Sequence, residues 1–305
     1  MRRKLASPAL AVVAALSVVW LASAPAAGQG RGGQGRGGGQ GGGEQVSGQD
    51  FEGTGPARPR PPAGPVPRAA DGKPDLRGYW IAPPLRNSNI LEEHAGGFGI
   101  QAGKSVVIDP PDGIIPYQPW ALEERDYHRR PEMNYEDNEG KCVLSGMPRI
   151  MLFAFRMNYS GDNILFLSDY IGATRVIRTK GPHVPNGIRL YMGDPVAKWD
   201  GDTLVVDTTN FNGKFWFALG GDFASEAMHM TERFKMLDSN TLSWQATITD
   251  PKVFTRPWTM EAGPFNRELT DKLEEEIEDS CHEGNADLDN LKRSYDKFKA
   301  NEAKK

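Results

Sequence analysis

Cys142 and Cys281 are the only cysteines in the chain. Their separation fits neither a C-x-x-C redox motif nor a paired zinc knuckle. In a chain that opens with an export signal, a structural disulfide between them is the natural reading. Closing so long a loop would stabilise the fold by about 4–5 kcal/mol in the chain-entropy picture. Cys281-His282-Glu283 sets three metal-competent side chains in a row, but sequence neighbours rarely converge on one ion, so no metal site is assigned there. Cofactor motifs are absent too: there is no H-E-x-x-H, no G-x-S-x-G and no dinucleotide fingerprint. The stretch Gly97 to Ser105 imitates a phosphate loop, yet Phe98 stands where the spacing needs glycine. The residues that follow, Val106 to Pro111, cannot open the required helix.

The other reactive side chains are histidines and carboxylates. His183 lies in the Gly181 to Gly187 loop and could stand at a cavity mouth. His229 shares its parity with Thr231, Arg233 and Lys235 and is expected in solvent, as are Asp169 and Asp207. The pointed case is Glu232. It falls among Met228, Met230, Phe234 and Met236 on an otherwise apolar strand face. Matching that face to Leu242, Trp244, Ala246 and Ile248 pairs Leu237 with Thr241, Met236 with Leu242, Phe234 with Trp244 and Glu232 with Ala246. Asp238-Ser239-Asn240 then forms the loop, with Asn240 left-handed. If Ile248 pairs Phe254 on the next strand, Arg256 comes level with Ala246. An inward Glu232–Arg256 ion pair follows, because either charge buried alone costs several kcal/mol. Glu232, Arg256, Phe234, Trp244, Trp258 and Trp199 are thus the candidate lining of a ligand cavity, with Glu232 and Arg256 at its polar end.

The elements that must position these residues are short alternating runs. In KWDGDTLVVDT, Lys198 to Thr208, Asp200-Gly201 reads as a two-residue hairpin turn with Trp199 facing Asp202. Ala197, Trp199, Leu204 and Val206 share the core face, and Lys198, Thr203 and Asp207 the other. Strands are expected over Leu76 to Trp80, Ile150 to Tyr159, Asn163 to Tyr170, Thr174 to Thr179, Pro195 to Thr209, Met228 to Leu237, Thr241 to Thr249 and Phe254 to Ala262. A short helix is expected from Pro119 to Arg125, stopped by Pro131. The fold class is mainly β: an antiparallel up-and-down meander forming a lipocalin-like barrel, with a β-sandwich as the alternative. Gly78-Tyr79-Trp80 resembles the Gly-x-Trp on the first strand of lipocalin-like barrels.

Residues 1–26 read as a signal peptide, with Arg2, Arg3 and Lys4, an apolar run and Ala24-Pro25-Ala26 as cleavage site. Residues 27–70 read as a disordered Gly/Pro/Arg-rich linker. The barrel-like domain is placed at 71–285, and a helical tail leaning on the barrel at 286–305. Cleavage would take the formal charge from −4 to −7, a poor match to nucleic acid. The mature chain is expected to have no membrane span and to be periplasmic or extracellular, with possible cell-envelope contact through the Gly-rich arm.

The segments DGKPDLRGYW, IPYQPWA, CVLSGMPR, KWDGDTLVVDT, MTERF and ITDPKVFTRPW, in that order from Asp71 to Asn285, resemble a large family of exported bacterial proteins of uncharacterised function. The resemblance carries no catalytic residue across. Relatives usually read G-H-S-x-G-x-W before the central hairpin, whereas here Gly193 to Trp199 lacks that histidine. Three functions fit: a binding protein holding a small apolar or amphipathic ligand in the barrel, a cofactor-free enzyme using Glu232 and Arg256, or an envelope-associated structural protein.

Overall fold

The computed structural model describes residues 63–82, 90–96, 102–185, 187–268, 281–282, 285 and 287–304. The signal segment and most of the linker expected from the sequence lie outside the described residues. Nine strands close into a ring: β1 (Gly78–Ile81), β3 (Phe155–Ser160), β4 (Asn163–Ser168), β5 (Thr174–Arg178), β6 (Asp194–Asp200), β7 (Thr203–Thr209), β8 (His229–Met236), β9 (Thr241–Thr249) and β10 (Trp258–Arg267). Closure is made by Trp80 and Ile81 pairing with Arg267 and Asn266. A further strand, β2 (Val107–Asp109), not anticipated from its three residues, occupies the same edge of β10 at Thr259 and Met260. With β1 and β2 covering that edge, few backbone groups are left as a template for another chain.

The meander is antiparallel throughout the ring except between β5 and β6. These run parallel and touch at Arg178 and Val196, because residues 179–193 carry the chain back before β6 begins. Two hairpins use the same turn. Ser160 pairs Asn163 around Gly161-Asp162, and Asp200 pairs Thr203 around Gly201-Asp202. Both glycines have φ of +58°, where a Cβ would be strained. The central hairpin thus turns one residue later than its sequence suggests, with Trp199 facing Leu204. Its faces are unchanged because the register has moved by two: Ala197, Leu204 and Val206 are buried and Lys198 is exposed.

The β8–β9 register is the expected one, from Met236 against Leu242 through Phe234 against Trp244 to Glu232 against Ala246. Asn240 is not left-handed. The Asp238 carboxylate accepts its N–H at 2.7 Å, and its carbonyl accepts from the Arg267 N–H. The next connection departs further. Ile248 faces Trp258, not Phe254, so β10 starts later and residues 250–257 form a loop. That loop is needed elsewhere: Asp250 accepts from Ser225 and from the Lys252 N–H, and Phe254 bridges Tyr117.

The interior is filled. Trp80, Phe155, Phe166, Phe234, Trp244, Trp258 and Phe265 are all 0 % exposed, which leaves no water-sized void beside them. Outside the ring, α1 (Pro119–His128) starts on a proline, whose missing N–H is no loss in a first turn. The terminal helix α2 (Asp287–Glu302) packs not on the barrel but on residues 127–141. Tyr295 meets Tyr135, and Phe298 meets Tyr127. Cys142 and Cys281 form the expected disulfide, with Cα atoms 5.6 Å apart across 139 residues. Order along the barrel begins before Asp71. Gly64 exchanges hydrogen bonds with Ser239, and Arg68 makes a two-pronged bond to Asp202 at 2.6 and 2.7 Å.

Candidate functional site

Glu232 points inward and is fully buried, but its partner is Arg175, not Arg256. From β5, three strands round the ring, Arg175 reaches across the interior. Its Nη1 donates to Glu232 Oε1 at 2.9 Å, and its Nη2 to Oε2 at 2.5 Å. Arg175 Nη2 also donates to the Thr208 hydroxyl at 2.7 Å, and Trp244 Nε1 to Glu232 Oε1 at 3.2 Å. The carboxylate is well satisfied, while Arg175 Nε has no partner. Arg256 lies in the 250–257 loop, half-exposed, with its guanidinium 3.3 Å from Asp109. Of the other residues expected to line a cavity, Phe234, Trp244 and Trp258 are packed into the core, and Trp199 leans against it partly exposed. The pair can pin opposite walls of the barrel. It faces no open space in which to do chemistry.

Open space lies outside the ring. Residues 211–223, rich in aromatics, fold against α1 and are anchored by a buried polar knot. The Tyr117 hydroxyl donates to Asp222 Oδ1 at 3.1 Å, and Arg125 and Arg129 approach the same carboxylate at 3.7 and 3.9 Å. Glu92 accepts from both arginines. Burial raises the Asp222 carboxyl above its usual range, a push that the two guanidinium groups only partly offset. Burial also lifts the Tyr117 phenol well above its ordinary value, and the neighbouring Asp222 charge adds to it. This knot fixes Gly221 and Phe223 against His128. Gly221 has φ of +76°, and a Cβ there would run into the His128 side chain and backbone, so only glycine lets the loop approach this closely.

The result is a cleft of about 560 Å³ between α1, the aromatic loop and α2. The His128 ring stacks on Trp216 with centroids 4.7 Å apart and meets Phe223 edge-on at 5.4 Å. His128 Nδ1 lies 3.2 Å from the Gly221 carbonyl oxygen, and its Nε2 3.2 Å from Glu124. Phe215, Tyr127 and Tyr191 extend the aromatic lining, and Lys141, Lys214 and Lys299 stand around it. Lys141 faces Glu136 at 3.6 Å and Lys299 donates to the Tyr127 hydroxyl at 2.8 Å, whereas the Lys214 ammonium has no partner among the described residues. The arrangement suits a flat molecule with a negative group. Sequence reading missed this cleft, although the density of aromatic residues in FNGKFWFALGGDF was a usable signal.

The structure also gathers three residues read as separate: His183, placed at a possible cavity mouth, and His229 and Asp207, expected in solvent. Asp207 Oδ2 accepts from His183 Nε2 at 2.9 Å, and Asp207 Oδ1 from His229 Nε2 at 2.5 Å. Outward strand residues become neighbours here because the 179–193 return lays His183 over β7. Burial alone would raise the Asp207 carboxyl, but the two imidazole donors outweigh it and hold the group below the usual range. Among the described residues no cluster of three or more His, Cys, Asp or Glu is disposed to hold a metal ion, Cys281-His282 included. No described helix is long and apolar enough to cross a membrane.

No family model, curated protein or solved structure matches the chain.

Proposed function

We propose that this is an exported binding protein for a small, flat, amphipathic molecule with an acidic group, taken into the cleft beside α1 rather than into the barrel. The observation that carries the reading is the cleft itself: aromatic walls, a volume of about 560 Å³ within the range of small-molecule sites, and on its rim Lys214, whose ammonium has no partner among the described residues. The packed interior supports the outside location, since a ligand in the barrel would have to displace side chains closed around the Arg175–Glu232 pair. The Cys142–Cys281 bond supports an oxidising compartment.

Indole acetate, which has a flat ring and a carboxylate, is a suitable probe. Titrated into the full chain, it should bind saturably as read by isothermal titration calorimetry. Trp216→Leu should weaken the affinity about tenfold, as truncating an aromatic anchor does, and Lys214→Gln by a few fold, as for an exposed charge pair. Binding that is unsaturable, or equally strong in both variants, would rule the cleft out.

A further inference from the structure

The His183–Asp207–His229 cluster borders a second depression, of about 270 Å³, that shares no lining residue with the aromatic cleft. A carboxylate only accepts hydrogen bonds, so each imidazole Nε2 turned to Asp207 carries its hydrogen. The two rings differ at their other nitrogen. His183 Nδ1 faces Asp194 Oδ2 at 3.2 Å, and Asp194 is itself held by Arg178 at 2.7 Å and by the Val184 N–H at 2.6 Å. His183 is therefore clamped between two anions. His229 Nδ1 has no partner among the described residues, and its ring is half-exposed at the wall of the depression.

An imidazole that donates one N–H to a fixed carboxylate and keeps the opposite lone pair free is the arrangement required of a general base. The carboxylate sets the tautomer, holds the ring and stabilises the imidazolium once formed. Arg189 lies on the same wall. Its Nη1 donates to the Glu226 carbonyl at 2.7 Å, and its remaining donors have no partner among the described residues. Glu226 is paired first with Lys252 at 2.6 Å and feels the Arg189 charge only as a smaller influence. Asn210, at φ of +58°, turns the chain at the rim and donates its amide to the Val184 carbonyl. At about 270 Å³ the depression lies at the small end of small-molecule sites, so it suits a small substrate.

We infer that this depression is an acid–base site for a small anionic substrate, with His229 as the catalytic base, Asp207 as its positioning residue and Arg189 as the anchor for a carboxylate or phosphate. In the step, the Nδ1 lone pair takes a proton from an acidic C–H of the bound anion. The electron pair of the broken bond stays on the substrate, and the proton is returned from the imidazolium as the charge collapses. Nothing is oxidised or reduced, and no co-reactant is needed. The inference does not depend on ligand binding in the aromatic cleft.

Pyruvate, a six-heavy-atom carboxylate with an acidic methyl group, serves as the probe for the full chain. Deuterium exchange into that methyl in heavy water, followed by proton NMR, should be at least roughly a hundredfold faster with the wild-type protein than with His229→Gln, the scale of general-base catalysis. Arg189→Met should lose most of the acceleration, while the surface variant Lys104→Gln, remote from both depressions, should keep it. Nitrogen-resolved NMR of the histidines gives an independent readout. Neutral His229 should carry its hydrogen on Nε2, and Asp207→Asn, which removes the acceptor that fixes this tautomer, should redistribute that hydrogen between the two ring nitrogens. If Asp207→Asn does not fold, the tautomer in the wild-type protein and the exchange rate of Arg189→Met still decide. Exchange as fast with His229→Gln as with the wild type, or a hydrogen on Nδ1, would overturn the proposal.

Discussion

Breaking the Arg175–Glu232 pair one side at a time should cost more than breaking it altogether. Both groups are enclosed: the side chains are 1 % and 0 % exposed, and the shortest contact between them is 2.5 Å. Glu232→Gln leaves a guanidinium with no counter-charge in a dry interior, and Arg175→Met leaves a carboxylate held only by Thr208 and Trp244. Each should cost about 3–5 kcal/mol, because an uncompensated buried charge is what each leaves behind. For a domain of this size that corresponds to a fall of roughly 6–20 °C in Tm. The double variant Arg175→Met/Glu232→Gln buries no charge, and its glutamine can still accept from Trp244 Nε1. It should be no less stable than either single variant, which makes the coupling energy at least as large as one single loss, about 3 kcal/mol or more. Arg256→Met is the control, since its half-exposed contact with Asp109 should be worth about 0–1 kcal/mol. Urea unfolding with the disulfide intact measures all four. Single variants within about 1 kcal/mol of wild type, or additive losses in the double variant, would mean that the interior admits water and that the pair does not pin the barrel.

Two further outcomes follow from the same geometry. Replacing Cys142 and Cys281 with serine opens a loop of 139 residues and should cost about 4–5 kcal/mol, seen as a lower urea midpoint; an unchanged midpoint would mean that α2 and residues 131–142 stay docked without the bond. Asp194 is held below the usual carboxylate range: burial would raise it, but the Val184 N–H, Arg178 and His183 together outweigh that. A folded pKa below the unfolded value of about 3.9 contributes stability that is present above that value and lost as the pH falls through the folded pKa. Asp194→Asn should therefore lower Tm at pH about 6, and its deficit should shrink in acid toward pH about 2; a deficit that does not change with pH would contradict the assignment.

What could be read from the sequence was local. The β8–β9 pairing, from Met236 against Leu242 to Glu232 against Ala246, follows from strict alternation on both strands and a connection too short to allow another register. Glu232 was recognisably inward because every neighbour of its parity is apolar. α1 was announced by Pro119, and the disulfide by the only two cysteines of a chain whose first residues read as an export signal. The Arg256 assignment failed because the β9–β10 connection is longer than its Asp-Pro turn suggests, and it is held out by Asp250 and Tyr117, which lie far apart in sequence. Arg175 stayed hidden because its strand carries arginines of both parities, Arg175 and Arg178, while Val176 faces outward at 47 % exposure.

The sequence by itself determined the strands of the ring, which face of each is apolar, and that Glu232 must be buried, because side-chain alternation and turn chemistry act within a few residues. Only the tertiary structure decided what that carboxylate meets and where open space remains. Ring closure sets Arg175 opposite Glu232 from three strands away, and the 179–193 return sets His183 against Asp207 and beside His229. The aromatic loop is pressed onto α1 by charges from three separate segments. Such contacts join residues distant in sequence, and their geometry comes from the curvature of the closed sheet and the path of its loops, to which no local pattern is sensitive.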